Sequence, residues 1–393
     1  MKTASTIVHS KDWSTATQEA IRNVTAQMGG VKPDLALLFA SHLFAENYPE
    51  MLGEIIVGTK TPLLVGCSGQ GVIGTSREIE GEPALSLMLV SLPGVFLKPY
   101  HFTEKDVEES SGPGFWHLQT EVEPKDVNAW MLLADPFHLD ADMLVMEMNE
   151  AYPEAPIVGG MASGDFSTQE TYLFLNSDVL REGGIGVAIG GDWTMRAVVS
   201  QGCKPIGEPW TITGVERNVI HQIARKPAYQ VLVETFKAIS KEDQQRAQHN
   251  LLVGLAVNEY IEDFKRGDFL IRNIMGVDPK AGSMAIGALP RVGQTMQFQL
   301  RDAEAATDDM HHMLDEARTA TAQNGPVAGL LCCCNGRGTD LFGEPDHDAK
   351  AIAEKFGPLP LAGFFCNGEI GPVGNKTFLH GFTASLGFFV KKS

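Results

Sequence analysis

No run of Lys or Arg longer than Lys391-Lys392 occurs among the 393 residues, and the formal net charge is -18 with a sequence pI near 5.0. A field of that sign repels phosphate backbones and anionic headgroups, so nucleic acid and membrane surfaces are excluded as expected partners. Cysteine is scarce as well. Six cysteines in a chain this long are too few for a disulfide framework, and Cys332, Cys333 and Cys334 are adjacent, where bridging geometry is strained. Long apolar runs are missing too: Ala84 to Val95 is broken by Ser, Pro and Gly well short of a membrane span. Met1 to Ser10 has no apolar core and no small-residue cleavage site, so it does not read as a secretory signal. A reducing, cytoplasmic setting is the expectation.

What is present is enough apolar residue, 44%, for more than one core in an α+β chain. Ser14 to Met28 places Ala16, Ala20, Ile21, Val24 and Met28 at helical spacing before Gly29-Gly30. The run Pro33 to Ser41 has strand length and is almost wholly apolar, which predicts a strand covered on both faces. A unit of strand, helix, Pro-led strand and Gly-rich segment then recurs. Its copies are Pro33 to Gly74, Trp130 to Asp165 and Gly329 to Glu369. The last two match closely: Pro156/Pro360, Gly159/Gly363, Ser163/Asn367, Gly164/Gly368 and Asp165/Glu369. Glycine is expected there to supply positive φ in turns at strand ends, and Ser or Asn to bond the local backbone. The pattern predicts mixed sheets with helices laid on them and an internal duplication. The expected parts are an N-terminal helix in residues 1–30 and two regions, 31–227 and 228–393.

Gly69, Gly71 and Gly74 satisfy G-x-G-x-x-G, but a polar stretch containing Pro83 and another strand follow, not a helix that could hold a pyrophosphate. No cofactor is expected. Cys332 and Cys334 face one way in a strand and Cys333 the other, so the triplet does not form one metal site. No metal is expected either. Cys67 and Ser68 in GCSG could serve as a nucleophile of a hydrolase or transferase, but no G-x-S-x-G elbow is present and no base is tied to either residue. Charged groups amid apolar strand are more informative, since burying a charge is costly unless it is paired or bound. These are Arg301-Asp302, Arg337 in CNGRG and Glu369 in NGEIGP. Their structural reading is an N-cap for Asp302 and a buried ion network for the others.

Those residues also carry a resemblance. LALLFAS with PLLVGCSGQGVIG resembles the N-terminal region of the FIST (F-box and intracellular signal transduction) family. FQLRDAEAATDDM, CNGRG and LAGFFCNGEIGPVGNKTFLHGFT resemble its C-terminal region. The likeness runs from about Val31 to Gly387. It implies an intracellular sensor of a small ligand, such as an amino acid or related metabolite, signalling through a protein on a separate chain; a protein-interaction scaffold is the alternative it suggests. A zwitterionic ligand needs a fixed cation for one end and a carboxylate for the other. The candidates are Arg301 and Arg337 for the anionic end and Glu369 and Asp165 for the cationic end. Cys67, Ser68, Ser163, Asn335, Asn367, His380 and Thr383 complete the candidate site. The expectation is a binding module, not an enzyme.

Overall fold

The computed structural model describes residues 1–392 apart from 166, 262 and 266, with the backbone alone at 249. The chain divides into two compact units. The larger comprises Met1–Val199, Met310–Leu379 and Thr383–Ser393, and the smaller Ser200–Asp309 with His380–Phe382. Residues from both sequence regions, 31–227 and 228–393, therefore contribute to each unit.

The architecture is α+β with mixed sheets, and the repetition is threefold. In each copy two parallel strands flank a helix: Leu35–Ser41 and Leu64–Gly69 around Tyr48–Thr59, Ala129–Ala134 and Ile157–Met161 around Ala141–Ala151, and Ala328–Cys334 and Leu361–Cys366 around His347–Phe356. Each pair sits inside a six-stranded sheet of the same order. One side is closed by an antiparallel strand, Ala84–Ser91, Gly184–Gly191 or Thr383–Lys391. The other side is closed by a hairpin borrowed from the next copy. The hairpin after Leu64–Gly69 pairs onto Leu361–Cys366, the one after Ile157–Met161 onto Leu64–Gly69, and the one after Leu361–Cys366 onto Ile157–Met161. The exchange closes a ring of three.

Burial explains why these segments take these forms. Leu35–Ser41 is buried at every position, with Phe39 and Leu37 facing a core shared by the three sheets and Leu38 and Ala36 facing the helices. Phe39 stacks on Phe364 of the third sheet at 4.9 Å between ring centroids. Trp13–Met28 is a helix capped by Asp12, whose carboxylate accepts from Thr15 N, and stopped by Gly29 in the left-handed region. Residues Lys2–His9, which the sequence reading placed in no strand, pair with Ala84–Ser91. Only Ala4 and Val8 of that strand are fully buried, so its pattern is faint.

The repeated glycines have a different reason from the one expected. None of Gly66, Gly159 and Gly363 has positive φ. Each lies inside a strand, where a Cβ would come within 1.7, 1.7 and 1.9 Å of the carbonyl oxygen of Leu38, Leu132 and Leu331 on the neighbouring parallel strand. Close backbone approach requires glycine here.

The smaller unit is a closed antiparallel barrel. Its strands run Cys203–Glu216, Thr295–Arg301, Leu251–Ala256, Phe269–Asp278, Ser283–Ile286 and Val219–Ile223, and the last pairs back onto the first. Ile206, Val253, Met284 and Phe298 fill its interior. Closure pairs each of these strands on both sides among the described residues.

Candidate functional site

The three copies meet where their second parallel strands end. The residue four after the repeated glycine is Gln70, Ser163 or Asn367, and these three close a ring of hydrogen bonds. Asn367 N donates to Met161 O at 3.0 Å, and Ser163 N donates to Ser68 O at 3.1 Å. The third link runs through a side chain: Gln70 N donates to Ser163 Oγ at 2.8 Å, and that hydroxyl donates to Phe365 O. Gln70 Nε2 adds a bond to Gly164 O and Asn367 Nδ2 one to Ala162 O. Ser163 and Asn367 were read from the repeat. Gln70 was missed because the first copy was read as a plain glycine turn, although its spacing from Gly66 is the same.

Beside this ring lies a cleft of about 740 Å³ walled by His42, Gln70, Glu80, Asp165, Asn335 and Asp340. Two polar atoms on its wall are buried and have no hydrogen-bond partner among the described residues, His42 Nδ1 and Asn335 Oδ1. Asn335 is held in place by its own amide, which donates to Asn367 Oδ1 at 2.7 Å. Asp165 is exposed, and the Ser167 hydroxyl and amide, helped slightly by His42, hold its carboxyl below the usual range. Glu80 accepts from Thr339 N and Oγ1 at 3.0 and 2.9 Å. The wall therefore offers three carboxylates, one imidazole and, among the described residues, one buried amide oxygen without a partner.

Of the expected site residues, Asp165 and Asn335 line this cleft, with Asn367 and Ser163 directly behind them. Ser68 is fully buried; its hydroxyl donates to Ser163 O and accepts from Tyr172 N. Cys67 is in the shared core, and burial pushes its thiol well up, the reverse of what a nucleophile needs. Arg337 is fully buried, with Nε and Nη2 donating to Asp348 at 2.7 and 2.9 Å. It does not line the cleft, and its charge lowers the Glu369 carboxyl slightly without a hydrogen bond or ion pair between the two among the described residues. Strand alternation separates them: Cys333 bonds Asp348 on one face, whereas Cys366 donates to Glu369 on the other. Glu369 is fully buried and accepts from Thr383 N and Oγ1 at 3.0 and 2.6 Å. Arg301 and His380 fall in the smaller unit. Arg301 lies over Phe382 at 5.6 Å, and Asp302 caps the helix Ala303–Ala320 through Ala305 N.

The environment of Glu369 makes stability pH-dependent. Burial raises its carboxyl from 4.5 to about 7, although the Thr383 and Cys366 hydrogen bonds oppose the shift. The folded protein therefore holds this proton more tightly than the unfolded chain. The associated stabilisation is complete below the ordinary value of 4.5 and is lost as pH rises to about 7. Glu369→Gln is expected to remove a decline of roughly 3 kcal/mol across that window. Urea unfolding of both proteins at the two ends of the window reads the difference, and parallel pH profiles would contradict the assignment.

The FIST N domain profile matches residues 34–226 and the FIST C domain profile residues 228–372. The chain is 37% identical over 375 residues to the uncharacterized protein Rv0628c of Mycobacterium tuberculosis, covering 95% of this chain and 96% of that one. It is 38% identical over 378 residues to the uncharacterized protein Mb0898c of Mycobacterium bovis, covering 95% of each. A crystal structure of a cyanuric acid hydrolase from A. caulinodans aligns over 100% of this chain and 99% of that one at 8% identity with a TM-score of 0.36. No helix among the described residues is long and apolar enough to cross a membrane. With both halves matched and relatives spanning nearly the full length, the chain belongs to the FIST family of signal-transduction sensory domains.

Proposed function

We propose that this FIST chain senses a small polar metabolite carrying an ammonium group, an amino acid or a related compound, in the cleft between His42, Asp165 and Asn335. The observation that carries the reading is the pair of buried, unpartnered atoms on one wall, His42 Nδ1 and Asn335 Oδ1. A buried polar atom without a partner costs about 1–3 kcal/mol, which a bound ligand that supplies the partner recovers. Asn335 Oδ1 can only accept, so it meets a ligand N–H or O–H, and the carboxylates beside it favour a cationic N–H donor. Asp165, Glu80 and Asp340 add negative field for the ammonium, and His42 serves the opposite, anionic or carbonyl end. Arg337 and Arg301 have no part in this arrangement, and neither does Glu369. The module is a binder and not an enzyme: Cys67 and Ser68 are both enclosed, and Ser68 is fully engaged in hydrogen bonds. Its setting is the cytoplasm, and its signal passes to a protein partner.

Thermal-shift measurement against free amino acids, amines, dipeptides and nucleotides at millimolar concentration tests this. Stabilisation by an ammonium-bearing class is expected. Asp165→Asn, at an exposed position, should weaken that ligand about tenfold, the loss of one charge-assisted contact, without moving the melting temperature of the free protein. Silence across the whole panel would remove the proposal.

A further inference from the structure

A second concavity in the larger unit has the opposite charge. Its volume is about 870 Å³, and among the described residues on its wall are Lys125, Arg196, Lys391 and Lys392 against one carboxylate, Glu154. In a chain of net charge -18 such a local excess of cations stands apart from the rest of the surface. Lys125 and Arg196 are exposed, and among the described residues neither forms an ion pair. Lys391 stands 3.9 Å from Asp192, and Lys392 donates to Asn128 Oδ1. Their charges are available to a ligand.

The shape is elongated. A neighbouring cleft of about 550 Å³ shares Glu154, Pro156, Met195 and Arg196 with the first, so one groove runs past Arg196. Thr194, Met195, Arg196 and Ala197 all line it. Consecutive strand residues point to opposite faces, so a wall made of four in a row is the backbone edge itself. That strand, Trp193–Gln201, is the last of its sheet and has a strand partner on one side, Thr383–Lys391. Among the described residues no strand pairs with its other edge, although Trp193 O is taken by Asn128 Nδ2 at 2.8 Å, and an open edge of this kind is where a sheet takes up an added strand.

We propose that this groove binds an extended acidic segment of a partner polypeptide, added as a strand beside Trp193–Gln201 with its carboxylates facing Lys125, Arg196, Lys391 and Lys392. A small anion would use the cations but not the strand edge or the length of the groove. The site is separate from the metabolite cleft, and either proposal can fail without the other.

The test is fluorescence anisotropy of the full chain with a labelled peptide of alternating Glu and Thr, about twelve residues long, at low and at physiological ionic strength. Saturable binding that weakens with salt is expected. The double variant Lys125→Glu/Arg196→Glu should weaken it about tenfold or more at an unchanged melting temperature, since both residues are exposed. A peptide of alternating Lys and Thr should not bind, and N-methylation of alternate amides in the acidic peptide should abolish binding. Undiminished binding by the double variant would overturn the proposal. So would equal binding of the N-methylated peptide, or citrate binding as tightly as the peptide.

Discussion

Replacing Arg337 by Met is expected to lower folding stability by roughly 3–5 kcal/mol. Its guanidinium is wholly enclosed, bound bidentately to Asp348 and set 5.3 Å from the centre of the Phe342 ring. Burial alone would push the Asp348 carboxyl up, but Arg337 and His347 together outweigh it and hold that carboxyl below the usual range. The substitution leaves Asp348 buried with His347 and the Cys333 thiol as its side-chain partners among the described residues. Glu78 lies close by, its own carboxyl raised to about 8 by burial and then by Asp348, so a second acid faces the abandoned charge. Urea denaturation measures the loss. The further change Asp348→Leu should recover most of it, because an apolar pair of similar volume replaces a buried ion pair at little cost. A loss below about 1 kcal/mol, the value of an exposed pair, would mean that the pair is not structural and would return Arg337 to the list of candidate ligand residues.

Gly159→Ala is expected to prevent stable folding of the larger unit, with a loss of roughly 3 kcal/mol or more. The new methyl group would lie 1.7 Å from Leu132 O, an atom already fixed in a parallel ladder in which Leu132 stands opposite Gly159. A side chain could rotate away from such a clash, but a ladder carbonyl cannot move without breaking the pairing of two strands. The same argument applies at Gly66 and Gly363, against Leu38 O and Leu331 O. Gly53, with nothing within 4 Å of a built Cβ, supplies the control: Gly53→Ala in the helix Tyr48–Thr59 should be neutral or slightly stabilising. Thermal unfolding of the four variants separates the two behaviours, and a Gly159→Ala protein as stable as Gly53→Ala would refute the account.

Residue by residue, the site was partly legible. Asp165 and Asn335 could be picked out because acids and amides beside repeated glycines fall where strands end, and strand ends are where backbone groups need side-chain partners. His42 could not, since one histidine after an apolar strand carries no pattern. Arg337 and Glu369 illustrate the opposite failure. A charge amid apolar strand announces that it is compensated, but sequence does not say by what, and here the compensation is Asp348 in one case and Thr383 with Cys366 in the other.

Local pattern alone determined the strands of the repeated unit, the helices between them, the amphipathic helix after Asp12 and the existence of an internal repeat, because each depends on periodicity and caps within a few residues. The order of strands in the sheets was decided only in three dimensions. Whether the hairpin after Leu64–Gly69 pairs with its own copy or with Leu361–Cys366 depends on backbone hydrogen bonds that any residue can make, and these leave no mark in side-chain chemistry. That exchange brings Gln70, Ser163 and Asn367 into one ring from positions far apart in the chain. The cleft beside the ring exists because of the exchange, and its two unpartnered atoms come from residues 42 and 335, which only the closed ring sets on the same wall.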